Sequence, residues 1–109
     1  MDFINKIELR GVVGSCRVAN CGPATACTFS LATEYCYKSQ DGGGVVIDTL
    51  WMQVIAYGPK PGWPDFGKIQ KGSKVYVHGR LRAKRYCDEQ GIDRTCYEVV
   101  AQDLKLVEE

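Results

Sequence analysis

The alternation of apolar and polar residues constrains the fold of this chain most. Four apolar alternations, separated by glycine-rich or polar breaks, run along the chain, and no stretch of ten or more residues repeats every 3.6 residues. They give five candidate strands, residues 5–13, 27–37, 45–57, 74–86 and 94–107. A period of two is typical of strands with one buried face, whereas an amphipathic helix needs the longer period. The sequence therefore predicts a mainly β fold of five strands.

Chain length and turn residues narrow the architecture of these strands. A chain of 109 residues suits a single core. Three consecutive glycines at residues 42–44 supply one turn, and a polar loop around residues 90–91 joins the last two strands. Five long strands without a candidate second sheet fit a small closed barrel better than a sandwich. We predict one all-β domain over residues 1–109, a five-stranded OB-fold barrel with long β-hairpin loops.

The segment between the third and fourth strands is irregular. Residues 58–67 contain three prolines and three glycines, and these exclude a regular helix across the segment. At most a short helical turn fits, around residues 66–69.

The charges of the chain are segregated, although the formal net charge is only +1. Residues 66–87 contain seven basic side chains and no acidic one, whereas the rest of the chain contains seven basic and thirteen acidic ones. Within this segment the fourth strand alternates between a core face, Val75, Val77, Gly79, Leu81 and Ala83, and an opposite face, Lys74, Tyr76, His78, Arg80, Arg82, Lys84 and Tyr86. Four like charges without a counter-charge on one face favour an anionic partner.

The third strand brings aromatic rings to the more polar of its two faces. Its apolar face holds Leu50, Met52, Val54 and Ala56, and its other face holds Thr49, Trp51, Gln53, Ile55 and Tyr57. Rings in sheets often pack in the core. Rings interleaved with lysine and arginine are what single-stranded nucleic acid requires, because the rings stack on exposed bases while the cations neutralise phosphates. Duplex DNA hides its base faces and would not need the rings.

Catalysis, metal binding and membrane insertion find little support in the sequence. The only histidine, His78, lies within the basic strand, and no nucleophile has an identifiable base partner. The six cysteines include no Cys-x-x-Cys pair for zinc, and without an export signal they should be reduced thiols. No apolar run is long enough to span a bilayer. We expect a cytoplasmic protein that is not an enzyme and holds no metal or cofactor.

Several short motifs, taken in order, resemble the bacterial single-stranded DNA-binding proteins that coat unwound DNA during replication, recombination and repair. The resemblance covers nearly the whole chain. It rests on residues 4–9 (INKIEL) with Gly11 and Gly14, residues 30–33 (SLAT), Trp51 with residues 54–58 (VIAYG), residues 71–77 (KGSKVYV), residues 79–82 (GRLR), Gly91, residues 93–94 and residues 98–100 (EVV).

The resemblance implies a set of DNA contacts and an assembly. The family's base-stacking positions are all aromatic here, namely Tyr37, Trp51, Tyr57 and Tyr86. Its basic contacts correspond to Lys6, Lys71, Arg82, Lys84, Arg85 and Arg94, to which the alternation of the fourth strand adds Arg80. The resemblance also implies a homotetramer, with a dimer as the alternative, and a place beside the bacterial nucleoid.

Three departures from the family pattern change what is expected. Gly14 leads into residues 15–18 (SCRV) and not into an acidic, proline-containing turn, so the first loop should be built differently. Residues 58–67 replace the family's helix between the third and fourth strands. The flexible linker with an acidic tip, through which the family recruits other proteins, is missing, either because the protein lacks it, as a mobile-element or phage variant would, or because the sequence stops before it. The resemblance therefore does not extend to that route of recruitment.

Two other functions remain open on the sequence. One is the primosomal replication protein, a tail-less dimeric relative with the same fold that also binds single strands. The other is a protein-interaction module in which Trp63 and Phe66 of the proline-rich loop form the contact surface. The missing tail favours the first of these, and the four aromatic positions favour a single-stranded DNA-binding protein.

Overall fold

The structure is a computed structural model that describes residues 2–107, without the side chain of Cys21. The described residues form five strands, β1 (Ile7–Cys21), β2 (Ala24–Lys38), β3 (Val45–Gly58), β4 (Lys74–Cys87) and β5 (Asp93–Leu106). They close a barrel in the order β1-β2-β3-β5-β4. Strands β3 and β5 run parallel, and the other neighbours run antiparallel. The predicted five-stranded OB-fold barrel with long hairpins is confirmed.

Strand β1 is longer than the sequence predicted. The prediction ended it at residue 13, but β1 continues to Cys21 after a register shift between Val13 and Ser15. A glycine inside a strand pattern is compatible with a bulge as well as with a strand end, and Gly14 lies at this bulge. One strand thereby serves two neighbours, because its first half pairs with β4 and its second half pairs with β2.

The interior of the barrel is filled by the inward-facing residues of the strands. The largest fully buried side chains are those of Val13, Cys27, Phe29, Leu31, Val54, Val75, Val77, Val99 and Leu104. Removing an aliphatic or phenylalanine side chain from water contributes about 1.5–3 kcal/mol, so this set is the main source of stability. Gly79 is buried as well, and an added Cβ there would lie 2.9 Å from the carbonyl carbon of Val100.

The irregular segment between β3 and β4 closes one end of this core. Its short helical turn, predicted around residues 66–69, is a 3-10 turn at Phe66–Lys68. Phe66 is 5% exposed, and Trp63 is partly buried and packs against the core. The segment therefore does not offer these two rings as a contact surface, which contradicts the protein-interaction hypothesis.

Two hairpins project from the barrel, one formed by β2 and β3 and the other by β4 and β5. Side chains are exposed on both faces of these hairpins, over residues 34–38, 45–51, 83–87 and 91–97. Ala83 was predicted to lie in the core and Leu50 on an apolar face. Both are exposed, because the alternation continues beyond the barrel, where no second layer covers it. The radius of gyration is 16.3 Å, against about 13 Å for a compact chain of this length.

Candidate nucleic-acid interface

Strand β5 lies between β3 and β4 and makes their outer faces continuous. Cross-strand neighbours form two rows over the three strands, Gln53–Glu98–Arg82 and Ile55–Val100–Arg80. Alternate residues of a strand share a face, so the aromatic side chains of β3 lie on the same surface as the basic side chains of β4. We call this the outer strand surface, and it carries Trp51, Tyr57, Arg80, Arg82, Lys84 and Tyr86.

The indole of Trp51 contacts β1 at the bulge. A Cβ added at Gly14 would lie 2.9 Å from the ring atom Cη2 and 3.0 Å from the hydroxyl of Ser30. The missing side chain at Gly14 therefore makes room for one part of the ring. The rest of the Trp51 side chain is open to solvent, since the residue is 59% exposed. A ring supported on the protein and open to solvent can stack on a base.

Arg82 differs from the other cations of β4 because its charge has a partner. Its Nε donates a 3.0 Å hydrogen bond to Oε1 of Glu98, and Nη2 forms an ion pair with the same oxygen. Glu98 is 5% exposed. The hydrogen bond to Glu98, and then one with Tyr57, raises the pKa of Arg82. The interpretation that the four cations of this face lack a counter-charge is therefore wrong.

Arg80 and Lys84 have no ion pair with any residue between 2 and 107. Lys6 joins them from the N-terminal segment. The side chain of Asn5 donates to the Leu81 carbonyl at 2.8 Å and accepts from the Leu81 N–H at 3.0 Å, as a neighbouring strand would. Continuing the register of β1 with β4 then places Lys6 beside Arg80.

Lys71 lies in the turn that leads into β4, at the Trp51 end of the surface. The N–H of Gly72 donates a 2.8 Å hydrogen bond to the carbonyl of Val13, and the next residue along β1 is Gly14, which contacts Trp51. The turn that carries the exposed Lys71 is therefore bound to the part of β1 that contacts Trp51, the most exposed ring of the outer strand surface.

Arg94 is held within the β4–β5 turn. Its Nε lies 2.6 Å from Oδ2 of Asp88, and Oδ1 of Asp88 accepts hydrogen bonds of 2.9 Å from the N–H groups of Gln90 and Ile92. The hydrogen bond from Arg94 is the main cause of the lowered pKa of Asp88. Arg94 thus stabilises the hairpin that carries Tyr86, its cross-strand neighbour.

Arg85 and Tyr37 lie on the faces of the hairpins turned away from the outer strand surface. Arg85 follows Lys84 in β4, so its side chain points to the opposite face, and its cross-strand neighbour is Thr95. Tyr37 lies on the face of β2 that continues its buried residues, and it pairs with Val46 of β3. Trp51 lies on the opposite face of this hairpin. The structure therefore does not place these two predicted contacts on one surface with the rest.

Sequence reasoning missed two residues that the structure places beside predicted site residues. Tyr35 is 70% exposed, and its ring centroid lies 6.1 Å from that of Tyr37, with 34° between the ring planes. The signal was present, because residues two apart on a strand share a face. Glu98 gave no such signal, since its pairing with Arg82 depends on the register between β4 and β5.

Three other features would bear on the function of the described residues, namely a membrane-spanning helix, a cluster of metal ligands and a pair of neighbouring thiols. Between residues 2 and 107 no helix is long and apolar enough to cross a membrane, and no three histidine, cysteine or carboxylate side chains cluster as metal ligands do. The Sγ atoms of Cys16 and Cys27 lie 3.5 Å apart. Burial, and then the neighbouring Cys16, raises the pKa of Cys27 to about 12, so this thiol stays protonated at neutral pH.

The barrel and the outer strand surface together define an OB-fold protein with exposed rings and cations on its outer strands. The model of the single-strand binding protein family matches residues 4–107. Single-stranded DNA-binding protein 1 of Xylella fastidiosa is 31% identical over 112 residues, which cover 98% of this chain and 79% of that protein. The chain belongs to the single-strand binding protein family.

Further relatives and solved structures agree with this membership. The single-stranded DNA-binding protein of Neisseria meningitidis serogroup A is 32% identical over 107 residues, and the match spans 95% of this chain but only 60% of that relative. The structure of the Plasmodium falciparum SSB in complex with ssDNA superposes with a TM-score of 0.81 at 23% identity, covering 99% of this chain and 98% of that one. A deletion mutant of the Thermus aquaticus single-stranded DNA binding protein gives a TM-score of 0.75 at 19% identity, covering 96% of this chain and 51% of that one. At these identities the two structures establish the fold.

Proposed function

We propose that this chain binds single-stranded DNA without regard to sequence and covers it during replication, recombination and repair. The observation that carries the proposal is the outer strand surface, on which exposed rings lie together with cations that form no ion pair with any residue between 2 and 107. Membership of the family and the names of the relatives support it. Binding of this kind needs no catalytic group or cofactor, and it would place the chain in the bacterial cytoplasm beside the nucleoid.

In the proposed mechanism, aromatic rings stack on the bases and basic side chains neutralise the phosphates. Trp51, Tyr57, Tyr86 and Tyr37 stack on bases, each contributing about 1–3 kcal/mol. Lys6, Lys71, Arg80 and Lys84 neutralise phosphates, with Arg85 on the reverse of the second hairpin. Arg82 and Arg94, whose charges are paired within the protein, hold the surface in shape. Every base has a π face, so binding of this kind depends little on sequence.

Titration with oligo-dT tests the proposal. We expect quenching of the Trp51 fluorescence, poor competition by a duplex of equal length, and an affinity that falls with salt. For about four neutralised phosphates per subunit, the slope of log K against log salt concentration should be near −3. An unchanged fluorescence, or equal affinity for the duplex, would contradict the proposal.

We further propose that the chain assembles as a homotetramer, with a dimer as the alternative. The first residues of β1, Ile7 to Arg10, pair with β4, while the pairing of β1 with β2 begins at Val12. Within residues 2–107 the other edge of Ile7 to Arg10 therefore pairs with no strand and is available to a second copy. Light scattering in the titration buffer distinguishes the two states as four or two times the chain mass of 12.1 kDa.

A further inference from the structure

One face of the β2–β3 hairpin is rich in apolar and aromatic side chains and has no function in the mechanism above beyond Tyr37. We call it the reverse face, and it consists of Tyr35, Tyr37, Val46, Asp48 and Leu50. Tyr35 pairs with Asp48 and Tyr37 pairs with Val46, and all five side chains are exposed. The face carries one carboxylate and no basic side chain.

We propose that Tyr35 and Tyr37 form a platform on which two successive unpaired bases of single-stranded DNA stack. The inference rests on the proposed function and adds a subsite to it. The two rings stand side by side on one strand, with centroids 6.1 Å apart and planes inclined by 34°, so they do not cover each other face to face. Each ring keeps an open π face for a base.

The chemistry of the reverse face favours bases over phosphates. A phosphate would meet the Asp48 carboxylate opposite Tyr35 and no cation, so its approach would be electrostatically unfavourable. A base is uncharged and stacks on a ring without a counter-charge. Tyr35 and Tyr37 would therefore bind the base side of a strand whose phosphates point to solvent.

The reverse face is accessible from the outer strand surface. Leu50 and Trp51 are consecutive residues of β3 and point to opposite faces of the hairpin. Strand β3 pairs with β5 over residues 53–55, so the edge of β3 beside Trp51 is open within the described part of the chain. A DNA strand that leaves Trp51 can pass around this edge and reach Tyr35 and Tyr37.

The test compares Tyr35→Ala with Tyr35→Phe in oligo-dT titrations at several salt concentrations. We expect Tyr35→Ala to lower the affinity by about five- to 160-fold, the range of one lost stack. The factor should be the same at every salt concentration, because no phosphate contact is removed. Tyr35→Phe keeps the ring and should bind within about twofold of the unaltered protein.

The possible outcomes separate this inference from the function on which it rests. Failure of the unaltered protein to bind oligo-dT overturns the proposed function. Binding by the unaltered protein together with an unchanged affinity of Tyr35→Ala overturns only the platform. A changed salt slope would assign the face to phosphate, and a lower assembly mass or an unfolded variant would assign Tyr35 to a contact between copies or to the fold. Each of these results also overturns the platform.

Discussion

Gly14 makes room for the indole of Trp51, the most exposed ring of the outer strand surface. A methyl group at this position would lie 2.9 Å from Cη2 of Trp51, closer than non-bonded carbon atoms approach, so the indole must move. We expect Gly14→Ala to shift the Trp51 emission to longer wavelength and to weaken oligo-dT binding by about 1 kcal/mol, the lower end of one stacking contribution. Steady-state fluorescence and the same titration measure both effects.

Gly67 provides the matched control for this substitution. A Cβ added at Gly67 meets no atom within 4 Å, so Gly67→Ala should leave both the emission and the affinity unchanged. If Gly14→Ala behaves like Gly67→Ala, the contact between Gly14 and the indole has no role in binding.

The exposure of Trp51 and its contact with Gly14 were not equally predictable. The parity of β3 already placed Trp51 opposite the apolar residues, and the structure leaves it 59% exposed. The contact with Gly14 joins β3 to β1 across the intervening β2. Such a contact depends on the order of the strands in the barrel and on the bulge in β1. The alternation within one strand predicts neither of these.

Two of the cations on the outer face of β4, Arg82 and Lys84, have different structural roles. Arg82 neutralises the buried carboxylate of Glu98, whereas Lys84 is exposed and has no ion pair within residues 2–107. We expect Arg82→Ala to lower the free energy of unfolding by about 1–3 kcal/mol, because it leaves a buried charge without its partner while Arg82 itself is partly exposed. Lys84→Ala should leave the stability unchanged. Urea unfolding measures both.

The same two variants should differ in the salt dependence of binding. Lys84→Ala removes one phosphate contact and should make the log–log slope shallower by about 0.7. Equal losses of stability in the two variants would contradict the separate roles of Arg82 and Lys84.

The faces of β4 illustrate how far alternation alone predicts a strand. Within the barrel the alternation was correct, since Val75 and Val77 are fully buried. Beyond the barrel it was not, since Ala83 is exposed on a hairpin with two solvated faces. The alternation of β4 also could not predict the partner of Arg82. Glu98 lies on β5, and the register between two strands is not encoded in either strand alone.

The molecule as a whole is a compact barrel with two extended hairpins, and the sequence predicted this outline. The five strands, the glycine turn and the polar loop together favoured a small closed barrel, which the structure confirms. The continuation of β1 past Gly14 and the inward position of Phe66 were not predictable, because both depend on how distant segments pack. The segregated charges predicted a basic face, although Glu98 neutralises the charge of Arg82 within it.

Strand β3 passes from a projecting hairpin into the barrel, and its two halves should differ in the rate of amide hydrogen exchange. Residues 45–51 are exposed, whereas Val54 and Ala56 are fully buried. Amides with few buried contacts around them exchange through local opening, and those in a core exchange only when larger units open. We expect rapid exchange over residues 45–51 and slow exchange around Val54, measured by NMR or mass spectrometry.

Bound oligo-dT should slow exchange in the outer half of β3 while leaving the inner half unchanged. Uniform protection along β3 in the free protein would contradict this gradient. If the gradient is observed, the inner half of β3 is ordered in the free protein, and the outer half of the same strand becomes fully ordered only when DNA binds.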